Sequence, residues 1–367
     1  MSFAESFFIA LVVSVAVAFL SRYLLPQLGG RARGKRLTRM QASPHWRSGR
    51  FRNPIPTRQQ TQHGLALLST IADFFKSAPD RAPASPIPNI PIEVARARAG
   101  SDHLAVTWLG HSILLIEIGQ TLILTDPMFS RRASPFSFLG PEAFPYERPF
   151  TLDDMPEVDA VLLSHDHYDH LDYRTVRELR ERVPLFIVPL GVGAHLERWG
   201  VPGPRIIELD WDEETRVGDV TVSATPARHF SGRRPSDRMR TLFAAYAIGS
   251  PARRVFYCSD SGYFPGLAQI GARHGPFDLT LLGCGGYSVA WTDVHMTPEQ
   301  TVRAHLDLRG EALLPIHWAK FNLSVHPWIE PVERLLAAAA PLQVRVTTPR
   351  PGERVVHGAD LPEQRWW

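Results

Sequence analysis

The sequence predicts an α/β domain whose sheets are covered by helices, preceded by a hydrophobic N-terminal helix. Three observations carry this. From about His103 the chain runs through short β-branched and apolar stretches, joined first as a meander and then in alternation with helical spacings. The stretch "MSFAESFFIALVVSVAVAFLSRYLL" is apolar from Phe7 to Leu20 except for Ser14. The 44% apolar fraction of the 367 residues is ordinary for a chain that buries a full core.

In chain order, the apolar run extended to Leu25 reaches 19 residues, near the length that spans a bilayer, with Arg22 able to snorkel to headgroups. A cleaved signal peptide is the rival reading. Ala16-Val17-Ala18 offers a small-residue cleavage pattern, but the preceding residues carry Glu5 and no Lys or Arg. A core helix is the third. Arg22, Arg31, Arg33, Lys35, Arg36, Arg39, Arg47, Arg50, Arg52 and Arg58 follow with no acidic residue before Asp73. By the positive-inside rule this flank keeps the rest of the chain cytoplasmic, with a single anchor in the inner membrane. The same flank suits an anionic membrane surface or a solvated basic linker.

The division that results is an anchor over 1–25, a basic, Pro-rich linker over 26–100, a catalytic domain over 101–350 and a C-terminal tail over 351–367. The linker holds one helical candidate, Gly64 to Lys76, and a Pro-punctuated connector, "APASPIPNIPIEVARA". In the domain, "HLAVTWLGHSILLIEIGQTLILTDP" reads as strands with a turn at Gly119-Gln120. "VDAVLLS", "PLFIVP", "RIIELD", "DVTVSATPA", "LFAAYAI", "RVFYCSD", "LTLLGC" and "EALLPIHW" read as further strands, and "YRTVRELRERV" as a helix. "TPEQTVRAHLDL" opens a helix with Thr297 as N-cap and Pro298 in the first turn. Cys258 and Cys284 are too few for a disulfide framework and sit in apolar stretches, as buried thiols do. With 40 basic against 37 acidic residues, the charge balance does not point to a nucleic-acid partner.

The chemistry concentrates in "SHDHYDH", where a strand ends at Ser164 and His165, His167, Asp169 and His170 crowd the loop that follows. Ordering so many neutral or anionic donors together is costly without a cation to satisfy them. His229, Asp260 and His317 each follow a β-type run and can reach the same sheet edge. These are too many ligands for one ion and make a two-metal set.

In that order the residues resemble the metallo-β-lactamase fold hydrolases. "VTWLGHSILLIEIGQTLILTDPMFSRRASPFSFLGP", "VDAVLLSHDHYDHLDY", "IIELDWDEE", "SDSGYFPG", "GPFDLTLL", "IHWAKFNL" and "RFRNPIPT" are similar to the N-acyl-phosphatidylethanolamine-hydrolysing phospholipase D branch, over roughly residues 50–335. The resemblance implies a four-layer αββα sandwich with two zinc ions at one sheet edge. It gives one ion to His165, His167 and His229, the other to Asp169, His170 and His317, with Asp260 bridging. The ligand types alone admit iron or manganese as well. Two such ions about 3.5–4 Å apart bind a bridging hydroxide at neutral pH. His295 in "DVHMTPEQ" matches a histidine of that branch, which implies a general acid or oxyanion contact; the alternative is a histidine that merely lies near the N-terminus of the following helix. The expected substrate is a phospholipid or other phosphodiester at a membrane surface. A lactonase or other ester hydrolase, resembling the ascorbate-6-phosphate lactonase branch, is the alternative.

Outside the ligand set, Asp126 is either a partner that orients a ligand histidine or a turn residue before Pro127. His111 faces either the site or the core, and Asp166 and Tyr168 are open. "GGYSVAWTDVH" and "TLFAAY" depart from the branch's usual aromatic patterns at positions that shape the substrate pocket rather than the metals.

Overall fold

A computed structural model describes residues 3–19, 25–60, 79–94 and 100–367. The helical candidate at 64–76 and part of the connector fall outside the described residues. Two seven-stranded mixed sheets form the body. The first runs in the order 354–356, 104–108, 114–118, 121–125, 160–162, 186–189, 206–209. Its first four strands are mutually antiparallel and the remainder join in parallel. The second runs 345–346, 310–316, 277–283, 254–258, 245–249, 220–225, 214–217, parallel at its start and antiparallel at its end.

Alternation fixes the layers. In Leu114–Ile118, the side chains of Leu114, Ile116 and Ile118 join Val222, Tyr246 and Val255 of the other sheet in one core. Leu115 points the other way, into a second core with Val176, Leu179 and Leu196 of helices Tyr173–Leu179 and Gly193–Arg198. Helices Gly266–His274, Pro298–Asp307 and Glu330–Ala339 cover the far face of the second sheet, through Leu267, Val302 and Leu335. Each such buried side chain contributes about 1.5–3 kcal/mol. Thr297 caps its helix as the sequence predicts, in a reciprocal box with Gln300. Both cysteines are free and buried.

In each sheet the parallel strands point their C-terminal ends to one edge. Asp126, Ser164, Ser259 and His317 each lie just beyond such an end. Ligand sites of open α/β sheets lie outside the carboxyl ends of their strands.

Two expectations change. The segment expected as a linker is folded onto the domain over residues 25–60. Arg36 of helix Gly34–Ala42 pairs with Glu208 at 2.5 Å and Glu197 at 2.6 Å, and Met40 is buried. The hairpin 46–51 buries Phe51, whose backbone N–H donates to Met239 O at 2.8 Å. The expected C-terminal tail completes the first sheet, with Val355 opposite Val106, and packs Trp366 and Trp367 against Trp318. The polar, Pro-rich composition of these segments hid specific docking behind an absence of periodicity. At the N-terminus a helix covers Phe3–Phe19. Phe7, Phe8, Leu11, Val13, Val15 and Val17 are each half or more exposed. Among the described residues no helix is long and apolar enough to cross a membrane, and residues 20–24 of the expected span fall outside them.

Candidate metal centre

All seven sequence-predicted ligands meet at one edge. Their donor atoms form two groups, each within 4.8 Å: His165, His167, His229 and Asp260, and Asp169, His170 and His317 together with His111. Asp260 lies between them. Its Oδ2 is 3.5 Å from His229 Nε2 and 3.4 Å from His170 Nε2, while its Oδ1 is 2.9 Å from His317 Nε2.

The surrounding hydrogen bonds fix which nitrogen of the His165, His170 and His229 rings faces inward. Asp126 is fully buried and accepts from the Ser164 N–H at 2.7 Å, the Ser164 hydroxyl, the Tyr257 hydroxyl at 2.7 Å and His170 Nδ1 at 2.9 Å. Because the Ser164 hydrogen is committed to Asp126, His165 Nδ1 must donate to Ser164 Oγ, at 2.9 Å. His229 Nδ1 donates to Val294 O at 2.9 Å. The three rings therefore turn Nε2, and not Nδ1, toward the centre. His167 meets this set with Nδ1, 2.8 Å from His165 Nε2 and 3.3 Å from His229 Nε2.

These atoms fit divalent cations. The Nε2 atoms of His170 and His317 are buried and make no hydrogen bond, although carboxylate oxygens lie 2.9 Å from each. Contact without hydrogen-bond alignment is what results when both groups aim at a third body. Burial, reinforced by neighbouring imidazoles, holds His165 and His229 well below the ordinary histidine range, so both are neutral donors. Burial opposes ionisation of Asp169 and Asp260, but His170 and His317 outweigh it and hold both carboxyls well below their usual range. Conversely, although burial opposes protonation of His317, Asp260 and Asp169 push its pKa up to about 9. The centre draws positive charge, and in the bare chain protons answer.

Both readings of Asp126 and His111 resolve toward the site. Asp126 is the carboxylate behind His170, with φ +35° at the strand end. His111 Nε2 donates to Asp169 Oδ2 at 3.1 Å, and burial pushes its pKa down to about 3. Its backbone also ties the two sheets, donating to Trp318 O at 2.9 Å and accepting from His317 N at 2.8 Å. Asp166 faces away from the cluster and from solvent. It accepts from the Gly232 N–H and Thr241 Oγ1, each at 2.7 Å, and lies 3.3 Å from His195 Nε2. The Tyr168 hydroxyl donates to Arg233 O. Tyr257 and Asn53 escaped notice in the sequence. Asn53 exchanges two hydrogen bonds with the His229 backbone, at 2.8 and 2.9 Å. It lies inside "RFRNPIPT", the stretch that carried part of the resemblance, and that was the available signal.

The cluster opens into a cavity of about 320 Å³ walled by Phe230, Trp291, Val294 and Leu323, with His295 and Gln60 also on its surface. Gly286 sits against the centre at φ +75°, and a Cβ there would lie 2.9 Å from His317 Cε1 and 3.4 Å from His295 Nδ1. Gly286→Ala is therefore expected to lower kcat/KM on the order of 10²-fold by shifting these rings, while the far-ultraviolet circular dichroism stays unchanged. Kinetics within three-fold of the parent would show that the rings tolerate the methyl.

Residues 121–318 match the beta-lactamase superfamily domain, and the chain belongs to that superfamily. More particularly, it is a metallo-β-lactamase-fold, metal-dependent hydrolase resembling the N-acyl-phosphatidylethanolamine-hydrolysing phospholipase D branch. It is 30% identical over 263 residues to the N-acyl-phosphatidylethanolamine-hydrolyzing phospholipase D 1 of Caenorhabditis elegans, covering 68% of this chain and 73% of that protein. An uncharacterized protein of Mycobacterium tuberculosis is 47% identical over 330 residues, 89% of this chain and 87% of its own. Among solved structures, Igni18, a metallo hydrolase from Ignicoccus hospitalis, shares the fold at TM-score 0.54 and 22% identity, over 70% of this chain and all of its own.

Proposed function

We propose that this chain is a membrane-associated, zinc-dependent phosphodiesterase of phospholipase D type, acting on N-acyl-phosphatidylethanolamine-like phospholipids. The observation that carries the reading is the cavity, in which donor atoms for two cations share one space with apolar walls and with His295. Two divalent cations held there supply a water nucleophile at neutral pH and a Lewis acid for a phosphoryl oxygen. Phe230, Trp291, Val294 and Leu323 take the apolar part of the lipid and exclude water from the diester. Asp260, facing both donor groups, fixes their relative position.

His295 lies with its ring 5.1 Å from that of His229 and 5.4 Å from that of His317. Burial pushes its pKa down to about 4. Above that value the imidazole is neutral, which favours an N–H contact to a phosphoryl or leaving oxygen over donation of a full proton. Zinc suits the imidazole and carboxylate donors. The exposed apolar helix Phe3–Phe19 and the arginines after it support an inner-membrane anchor with the catalytic domain on the cytoplasmic side.

The test is a substrate panel, run with and without chelator: N-acyl-phosphatidylethanolamine, other phospholipids, bis(p-nitrophenyl) phosphate and lactones. Diester turnover that chelation abolishes and zinc restores is the expected result. Lactone turnover with no diester turnover would move the assignment to an ester hydrolase. His295→Ala is expected to lower kcat on the diester by about 10²–10³-fold, as loss of one oxyanion donor does. An unchanged kcat in that variant would remove His295 from the chemistry.

A further inference from the structure

Two groups of arginines in the folded N-terminal segment differ in their partners. Those of helix Gly34–Ala42 have counter-ions: Arg36 binds Glu197 and Glu208, and Arg39 binds Glu213. Those of the hairpin that follows do not. Arg47, Arg50 and Arg52 are exposed, and among the described residues no carboxylate pairs with any of them. Arg47 and Arg50 stand directly opposite each other in the two-stranded ladder, a like-charge pairing that destabilises a hairpin. The backbone bond from Phe51 N to Met239 O seats this hairpin on a loop that adds two more exposed arginines, Arg238 and Arg240. Neither of these has a carboxylate partner among the described residues. Nearby acids are committed elsewhere: Asp237 accepts the backbone N–H groups of Arg233 and Arg234, and Asp293 pairs with Arg228. The Arg238 guanidinium has its pKa lowered by burial first and then by the charge of Arg50.

Folding has thus gathered five like charges where a scattered arrangement would have been more stable. The patch adjoins the mouth of the metal-centre cavity. Arg238 lies 5.0 Å over the ring of Phe230 and donates to Gln59, and both residues line that cavity. The chain's charges nearly balance overall, so this is a local surface rather than a generally basic protein. It lies on the segment that follows an apolar helix with exposed side chains, next to a cavity with apolar walls.

We propose that Arg47, Arg50, Arg52, Arg238 and Arg240 form a docking surface for the anionic face of a lipid bilayer, which turns the mouth of the cavity toward the headgroups. This rests on the membrane reading above and adds to it a defined contact made by the catalytic body itself. Each arginine near an anionic leaflet strengthens binding about five-fold, so neutralising three weakens it roughly a hundred-fold.

The experiment is co-sedimentation of the full chain with vesicles of phosphatidylcholine alone and of phosphatidylcholine with one-third phosphatidylserine. The parent is expected to bind the anionic vesicles more tightly, with the difference lost at high salt. In Arg47→Gln/Arg50→Gln/Arg52→Gln that difference is expected to shrink about a hundred-fold, while binding to neutral vesicles stays unchanged and the melting temperature does not fall. Arg238→Gln is expected to remove about five-fold on its own. Equal affinity of the parent for both vesicles overturns the proposal, as does an undiminished preference in the triple variant. A surface that retains heparin but does not discriminate between the vesicles also overturns it, in favour of a soluble polyanion. Binding is read without turnover, so absence of diesterase activity would sink the functional reading and leave this result standing.

Discussion

Replacing Asp260 by asparagine is expected to lower kcat/KM by on the order of 10⁴-fold or more, about 5.5 kcal/mol of transition-state stabilisation. The amide keeps the volume and removes the charge from the one carboxylate that faces both donor groups. Its neighbours show what that charge does. Asp260 is the largest contribution favouring a proton on His317 against the cost of burial, and contributes likewise at His170. A cation meets the same field. The variant should therefore lose metal as well as rate, and mass spectrometry of the purified protein should find less than one ion per chain where the parent is expected to hold two. Circular dichroism should be unchanged, because no strand depends on this side chain. Parent-level turnover with a full metal complement would refute the two-cation centre. His167→Ala should abolish turnover likewise and leave the fold formed, since His167 contributes its ring to the cluster and no backbone bond to a sheet.

How far this site could be read beforehand depends on how local each signal is. The cluster His165–His170 was legible because an apolar strand, a break and metal-grade side chains follow one another within a few residues. His229, Asp260 and His317 were legible because each follows a strand, and parallel strands bring their ends to one edge. Asp126 and His111 stayed ambiguous because a buried polar side chain takes its meaning from its partner. The partners of Asp126 lie 38, 44 and 131 residues away. Asp166 shares the spacing of the ligands, yet its backbone turns it toward His195 and Thr241, which spacing alone does not show. The hairpin 46–51 and the strand Arg354–Val356 are too short to leave a periodic pattern, so a loop-like composition concealed a docked hairpin and an edge of the sheet.

The largest effect on stability is expected from Asp126→Ala. The carboxylate has no exposed surface and accepts from four donors: the Ser164 N–H, the Ser164 hydroxyl, the Tyr257 hydroxyl and His170 Nδ1. Burial, and then Asp126 itself, hold the Tyr257 pKa well above its ordinary value, so the phenol keeps its proton and its role as donor. Alanine would strand these donors in a space that excludes water. Removing one side of a buried, charge-assisted network costs about 3–5 kcal/mol. For a domain of this size that lowers the melting temperature by roughly 10 °C, at 2–4 °C per kcal/mol. The same change frees the His170 ring and, through Ser164, the His165 ring, so metal affinity should fall about 10–100-fold. Thermal denaturation in chelator and in excess zinc separates the two effects. The melting temperature should fall in both conditions, and the stabilisation by zinc should also shrink. An Asp126→Ala protein that melts within 1 °C of the parent in chelator would show that the network does not hold the edge together. An undiminished zinc-dependent rise would show that the rings keep their orientation without it.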